Sequence, residues 1–270
     1  MSQDSFLLAK YVRQHALRMV WKAGASHISS ALSIADIVAV LFSSILNHCP
    51  SDPLQPDRDR VLLSKGHACT AIYAVLAELG YFAKEELDDY GTNGSRLMNH
   101  ISHYVPGVEF SAGALGHLLP VGAGKALYAK SQKKTWNTYV ILSDGELNEG
   151  SNWEAIMFAA HHRLYNLIAI VDKNNLQSFT STQETLNMDP LEDKFSSFGW
   201  KVYSVDGHSH QELSSAFAAA SSNCNSPNVI IANTTKGKGV SFMENKVEWH
   251  YKNPSQEQFQ AALLEISSHA

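Results

Sequence analysis

Apolar residues recur at helical spacing through the first half of the chain. Between residues 5 and 22 they fall at the three- and four-residue intervals of an amphipathic helix, and the pattern stops before Gly24. Ser33 followed by Asp36 resembles a capping box, which predicts the start of a second helix. The periodicity predicts three further helices after the first, over residues 34–46, 68–79 and 115–130. The N-terminal third is therefore predicted to be helical.

The pattern changes in the second half, where short apolar runs rich in strand-forming residues alternate with helical segments. Strands are predicted over residues 138–142, 167–171, 200–205 and 229–232, and helices over 152–163 and 211–220. This alternation implies parallel strands joined by helical crossovers, with both faces of the sheet covered. We therefore predict an α/β fold with a doubly wound, mostly parallel sheet. No linker or internal repeat divides the chain, so residues 1–270 are expected to form one domain.

Composition excludes several classes of protein. The chain has 270 residues, of which 44% are apolar, so it is long enough to bury one large core. A net charge of −5 gives no basic surface for nucleic acid. No apolar run approaches the roughly 20 residues of a membrane span, and the N-terminus does not resemble a signal peptide. The 3 cysteines form no CxxC pair, which argues against zinc and favours a reducing cytoplasm.

Polar side chains follow two of the predicted strands. The first strand ends in Ser143, Asp144, Gly145 and Glu146, and the second ends in the run 172–176, which contains Asn174. Asp144 and Asn174 are separated by about the length of one strand–helix–strand crossover, and the carboxyl ends of parallel strands form ligand sites. Carboxylate, amide and carbonyl oxygens suit Mg²⁺ or Ca²⁺, which often binds substrate phosphates as well. Asp144 alone could equally cap the following helix. With Asn174 included, the pattern predicts a metal-bridged diphosphate site.

The same two segments resemble the thiamine-diphosphate fingerprint, in which Asp-Gly is followed about thirty residues later by Asn. Other segments resemble transketolases in the same order and with the same spacing. They are GASHISS (24–30), DRVLLSKGH (59–67), His100 followed by PGVE (106–109), GALG (113–116), KGKG (236–239) and WH (249–250). The resemblance extends over roughly residues 5 to 255. On these motifs the chain is identified as a member of the transketolase family.

The resemblance implies a role for each matching residue. The predicted metal ligands are Asp144, Asn174 and the carbonyl of Leu176, holding Mg²⁺, with Ca²⁺ or Mn²⁺ as substitutes. The predicted contacts with thiamine diphosphate are Ser30, His67, Gly113, Ala114, Leu115, Gly145, Glu149, Asn174, Lys236 and His250, with Glu149 at a subunit interface. The predicted catalytic residues, which face the sugar and transfer protons, are His27, His100 and His250. Imidazole suits this work because its ordinary pKa is near 6.5. The histidines outside these motifs are expected to be solvated or structural: His15, His48, His161, His162, His208, His210 and His269.

The chain departs from the family pattern near the expected sugar channel. Ile28 stands where the family usually has Pro, and His117-Leu118 replaces a common Gln-Gly pair. Asn99-His100-Ile101 replaces a common Gly-His-Pro, and Ser143 replaces a usual Gly before the metal-binding Asp. Most of these changes lie away from the predicted metal site. The resemblance therefore supports the cofactor more strongly than the sugar.

A full transketolase carries a pyrimidine-binding domain and a C-terminal domain that have no counterpart in these 270 residues. The resemblance thus implies the N-terminal subunit of a split transketolase, working with a separate C-terminal subunit, expected as an α₂β₂ assembly. The implied reaction transfers a two-carbon ketol unit between sugar phosphates. Two alternatives remain: another thiamine-diphosphate reaction, such as a 1-deoxyxylulose-5-phosphate synthase-like condensation or a specialised sugar pathway, and a non-catalytic binding paralogue.

Overall fold

A computed structural model of the chain describes residues 4–268, so the first three residues, Ala270 and the predicted role of His269 lie outside the described part. Its α-helices are α1 (Ser5–Ala23), α2 (Ile28–Ser33), α3 (Ala35–Val40), α4 (Cys69–Glu78), α5 (Leu118–Ser131), α6 (Gly150–His161), α7 (Thr182–Leu186), α8 (Leu191–Ser197), α9 (His210–Ser222) and α10 (Gln256–Ser268). Its strands are β1 (Arg60–Leu63), β2 (Thr138–Ser143), β3 (Leu167–Lys173), β4 (Lys201–Asp206) and β5 (Asn228–Asn233).

The five strands form one parallel sheet in the order β1-β2-β3-β5-β4. The central strands β2, β3 and β5 are buried along nearly their whole length, as expected for strands covered on both faces. Their carboxyl ends therefore meet at one edge of the sheet. Asp144 follows β2 directly, Asn174 follows β3, and Thr234 follows β5. The predicted α/β fold with a parallel sheet is confirmed.

Most predicted elements agree with the structure within one to three residues at each end. Helix α1 ends at Gly24, which adopts the left-handed conformation with φ of 60°. The helix predicted over residues 34–46 is made of two pieces, since α3 continues as a π-helical turn over Leu41–Ile45. The structure also contains α2, α7, α8, α10 and the edge strand β1, for which the pattern gave no prediction.

The predicted capping box at Ser33 and Asp36 is wrong. Helix α3 has no side-chain cap, because the Ser33 hydroxyl donates instead to the buried carboxylate of Asp172. The Asp36 carboxylate accepts from Arg13 of α1 rather than from a helix end. Both side chains join separate parts of the fold, so local spacing misassigned them.

Two further findings concern the composition. The three cysteines, Cys49, Cys69 and Cys224, are all free thiols. None of the helices within residues 4–268 has both the length and the hydrophobicity that crossing a membrane requires.

Candidate functional site

A cavity of about 230 Å³ opens at the carboxyl edge of the sheet. The structure places twelve of the fourteen predicted site residues on its wall. They are His27, Ser30, His67, His100, Gly113, Leu115, Asp144, Gly145, Asn174, Leu176, Lys236 and His250. They come from the start of α2, the segments after β1, β2, β3 and β5, and two loops. Residues more than 200 positions apart in sequence thus share one pocket.

Two predicted residues lie outside the cavity wall. Ala114 lies between two lining residues, Gly113 and Leu115. Glu149 is exposed at the N-terminus of α6, and its side chain makes no capping bond. The structure therefore does not bring Glu149 to the cavity, and its expected place at a subunit interface stays a prediction.

The three predicted metal ligands lie on the ends of neighbouring strands. Asp144 accepts hydrogen bonds from the backbone N–H of Gly145 at 2.8 Å and of Asn175 at 2.6 Å. Asn175 can point its N–H there because it adopts φ of 62°, a conformation that asparagine tolerates. The side-chain nitrogen of Asn174 donates to the Asp172 carboxylate at 3.0 Å. The side-chain oxygen of Asn174 is the acceptor atom and the candidate metal ligand. The Asp144 carboxylate, the Asn174 oxygen and the Leu176 carbonyl are the hard oxygen donors that suit Mg²⁺.

The nearby carboxylate of Asp172 makes a cation beside Asp144 more favourable. Burial, with Asp172 nearby, raises the pKa of Asp144 to about 6. Burial alone would also raise the pKa of Asp172, but Lys65 and hydrogen bonds hold it below its usual value. Lys65 is buried and pairs directly with Asp172, so its charge is already engaged. A cation beside Asp144 would stabilise the ionised form of this carboxyl group. Asp144 therefore fits a metal-binding role.

No group of three or more His, Cys, Asp or Glu side chains within residues 4–268 has the arrangement of a metal site. The candidate set at Asp144 agrees with that finding, because its other two donors are an amide oxygen and a backbone carbonyl oxygen. Such oxygen-rich sets are typical of Mg²⁺ and Ca²⁺ rather than of zinc.

Four histidine rings form one cluster in the cavity. The ring centroid of His27 lies 5.1 Å from that of His67, 5.9 Å from His100 and 5.0 Å from His250. Burial lowers the pKa of His27 to about 4 and that of His250 to about 3, and it also lowers the pKa values of His67 and His100. The rings of the cluster are consequently uncharged near pH 7, so each has one unprotonated nitrogen that can accept a hydrogen bond.

Lys236 connects the histidine cluster to the metal-ligand segment. Its ammonium group donates to the carbonyl oxygens of Leu176 at 3.1 Å and Gln177 at 3.3 Å, and to Nδ1 of His250 at 3.1 Å. Burial, with Lys65 nearby, lowers the pKa of Lys236 to about 8. Lys236 is thus a buried cation beside the proposed diphosphate position.

The prediction from sequence missed several residues that support this cavity. Glu146 is fully buried, and its carboxylate accepts from the Ser64 hydroxyl and from the backbone N–H of Gly116 at 2.9 Å. Lys65 lines the cavity as well and forms a buried ion pair with Asp172. All three lie inside motifs that matched the family, and Glu146 and Asp172 stand at strand ends. Their positions at strand ends could have indicated that they belong to the site, although the local sequence does not show what each side chain contacts.

The parallel sheet, with oxygen donors and a buried lysine at its carboxyl edge, is typical of α/β domains that bind phosphorylated ligands. The family model described as "Transketolase, thiamine diphosphate binding domain" matches residues 5–262. The chain belongs to the transketolase family, as its motifs predicted.

Relatives and solved structures agree with this family. An apulose-4-phosphate transketolase subunit from Phocaeicola vulgatus is 38% identical over 94% of this chain and 91% of its own length. The 6-deoxy-6-sulfo-D-fructose transketolase subunit SqwG of a Clostridium species is 39% identical over 96% of this chain and 94% of its own length. The crystal structure of transketolase from Campylobacter jejuni superposes with a TM-score of 0.92 at 30% identity, covering 99% of this chain. That alignment covers only 43% of the Campylobacter chain, so this chain spans about two fifths of the solved transketolase.

Proposed function

We propose that the chain is the diphosphate-side subunit of a two-subunit transketolase. The observation that carries this proposal is the single cavity in which the Asp144, Asn174 and Leu176 oxygens face Lys236 and four uncharged histidines. The relatives named as apulose-4-phosphate transketolase subunits match this chain along nearly their whole length, which supports a separate partner chain. The partner would be a C-terminal subunit, assembled with this chain as α₂β₂, and we expect the assembly to be cytoplasmic.

The cofactor in this proposal is thiamine diphosphate with Mg²⁺, for which Ca²⁺ or Mn²⁺ could substitute. Asp144, Asn174 and the Leu176 carbonyl would hold the metal ion, and Lys236 would neutralise part of the diphosphate charge. The other expected contacts are Ser30, His67, the 113–115 loop, Gly145 and His250, while Glu149, which lies outside the cavity of this chain, is expected to contribute from a subunit interface. When bound, the cofactor supplies a carbon nucleophile and an electron sink for breaking a carbon–carbon bond.

The proton transfers fall to this chain's own histidines. His27, His100 and His250 have uncharged rings near neutral pH, so each can accept a hydrogen bond from a sugar hydroxyl, which would place it to take up and return that proton as charge develops in the reaction. Burial maintains this state, because a charged imidazole would lose its hydration in the cavity. The three side chains therefore fit the handling of a polyhydroxylated sugar phosphate.

The substrates are the part of the proposal with several candidates. Ketol transfer from a ketose phosphate to an aldose phosphate is the expected reaction. Relatives named for apulose 4-phosphate and for 6-deoxy-6-sulfo-D-fructose favour a specialised sugar as a second candidate. A 1-deoxyxylulose-5-phosphate synthase-like condensation and a non-catalytic paralogue are the other outcomes of the test.

The test combines the purified chain with a candidate C-terminal subunit, Mg²⁺ and thiamine diphosphate, and assays a panel of ketose and aldose phosphates. We expect ketol transfer only when both chains are present. Robust transfer by this chain alone would contradict the two-subunit proposal. An absence of Mg²⁺-dependent cofactor binding by the pair, measured by calorimetry, would support the non-catalytic paralogue instead.

A further inference from the structure

A second polar cluster lies outside the candidate cofactor cavity and is centred on the buried carboxylate of Asp36. Arg13 of α1 binds it with two hydrogen bonds, of 3.0 and 2.5 Å. Two histidines also donate to it, His208 through Nδ1 at 2.7 Å and His210 through Nε2 at 3.2 Å. Asp36 thus accepts hydrogen bonds from three side chains on two separate parts of the chain.

The two histidines differ in what their second ring nitrogen contacts. Nε2 of His208 accepts the backbone N–H of Thr235 at 2.8 Å. Because Nε2 is an acceptor there, the ring proton lies on Nδ1, which is the atom that donates to Asp36. Nδ1 of His210 instead contacts the Ser5 hydroxyl at 2.7 Å, and its ring stacks on Phe6. Of the two histidines, His208 is the one that connects Asp36 to the segment after β5.

That segment, residues 234–239, carries Lys236 and is held on both sides of it. His208 binds the backbone of Thr235 on one side, and Arg13 donates through Nε to the carbonyl of Lys238 at 3.2 Å on the other. Both His208 and Arg13 also bind the Asp36 carboxylate. The Lys236 side chain then extends to the Leu176 carbonyl and to His250 in the cavity.

We propose that Asp36 and His208 are positioning residues that fix the 234–239 segment, and with it Lys236, at the candidate cofactor cavity. A carboxylate that accepts a hydrogen bond from Nδ1–H fixes the tautomer and the orientation of the imidazole, as carboxylates do for histidines that bind metals. The oriented Nε2 then holds a backbone amide one residue before Lys236. This inference rests on the proposed function for its link to thiamine diphosphate, while the fixation of the segment itself does not.

The first experiment measures amide hydrogen exchange of residues 234–239 in the full chain without cofactor. His208→Asn retains a donor at the Nδ1 position but loses the acceptor for Thr235, whereas His208→Gln retains an acceptor at the Nε2 position. We expect about tenfold faster exchange in His208→Asn, the effect of losing one hydrogen bond, and a smaller increase in His208→Gln, which keeps the acceptor for Thr235 but loses the Nδ1–H donor to Asp36. His210→Gln is the matched control, because it also perturbs Asp36 but contacts no residue of the segment. Arg13→Lys provides a second route, since it retains a cation near Asp36 and loses the Lys238 contact, and it too should speed exchange.

The second experiment measures the dissociation constant for thiamine diphosphate in the two-subunit enzyme with Mg²⁺ present. We expect about tenfold weaker binding in His208→Asn and a change below about twofold in His210→Gln. Equal effects of the Asn variant and the control, in exchange or in affinity, would overturn the proposal. So would faster exchange with unchanged affinity. If wild type itself binds no cofactor, the proposed function fails, while the exchange experiment still judges whether His208 fixes the segment.

Discussion

His27 shows how the surrounding fold determines the conformation of a single residue. It adopts a left-handed backbone conformation with φ of 73°, and its N–H donates to the His250 carbonyl at 2.8 Å. This conformation costs a residue other than glycine roughly 1–2 kcal/mol, so neighbouring contacts must maintain it. It places the His27 ring among those of His67, His100 and His250. The strained backbone conformation of His27 therefore places its ring in the cluster of four histidines.

The His27 ring should remain uncharged far below the pH at which ordinary histidines titrate. Burial lowers its pKa to about 4, so an NMR titration of the ring should give a midpoint near 4 rather than 6.5. Between these two pH values the unfolded chain binds the proton and the folded chain does not. The contribution of His27 to stability therefore falls as the pH drops from 6.5 to 4. The free energy of unfolding of wild type, relative to His27→Gln, should decrease across this window, and an increase would contradict the assignment.

Asp144 and His100 should affect different steps if their proposed roles are correct. Asp144→Ala removes the proposed charged metal ligand, and should weaken Mg²⁺-dependent binding of thiamine diphosphate by at least about 100-fold, since even the loss of a residue that only orients a ligand costs about 10–100-fold. His100→Ala should leave that affinity nearly unchanged while lowering kcat/KM by about 10²–10⁴, the range for proton transfer. Calorimetry and steady-state kinetics on the two-subunit enzyme separate these effects. The reverse pattern would contradict both assignments.

The sequence identified the residues that carry the expected metal-ligand atoms better than the residues that support them. Asp144 and Asn174 could be found because their spacing matches one crossover between parallel strands. Asp172 and Glu146 lie in the same motifs, but their contacts with Lys65 and Ser64 join positions about 80 to 110 residues apart. Such pairings depend on how β1 lies beside β2, which residue spacing does not show.

At the scale of elements, the close approach of α5 to the sheet depends on Gly122. A Cβ atom at this position would lie 2.5 Å from Cγ2 of Val140 on β2. Gly124, on the same helix, is exposed and has open space at its Cβ position. The two glycines thus occupy the same helix in opposite environments.

Substituting alanine at these two positions should change stability in opposite directions. Gly122→Ala should lower the free energy of unfolding by about 1–3 kcal/mol, because the added methyl group overpacks the helix–sheet contact. Gly124→Ala should raise it by about 0.5–1 kcal/mol through the better helix propensity of alanine. Urea denaturation of the full chain measures both. Equal effects at the two positions would show that helix propensity rather than packing decides them.

Element prediction succeeded for helices with one buried face and for four of the five strands, and it failed where long-range contacts decide the local structure. The buried strands β2, β3 and β5 were found because their apolar runs are continuous. Helix α2 was missed because all six of its residues are buried, three of them serines, so it shows no amphipathic pattern. The prediction of a capping box at Ser33 was wrong for a related reason, since the Ser33 hydroxyl donates to Asp172 near the carboxyl end of β3.

For the whole molecule, Asp36 joins the helical N-terminal third to the sheet. It lies on α3 and accepts hydrogen bonds from Arg13 of α1, from His208 in the connection between β4 and α9, and from His210 at the start of α9. Burial alone would raise the pKa of Asp36, but Arg13 and the two histidines hold it well below its usual value of 3.8. The ionised carboxylate therefore stabilises the folded chain.

Asp36→Asn should lower the free energy of unfolding by about 3 kcal/mol at pH 7, because the largely buried guanidinium of Arg13 would lose its charged partner. Since the folded pKa is lowered, the stabilisation by Asp36 is complete above pH 3.8 and is lost as the pH falls below it. The difference between wild type and variant should therefore shrink below pH 3.8 in urea denaturation series. Asp88→Asn is the control, because Asp88 pairs with Arg18 at an exposed position and should cost below about 1 kcal/mol. A wild-type advantage that persists unchanged from about pH 5 to about pH 2 would show that packing, rather than the charge of Asp36, joins the two parts.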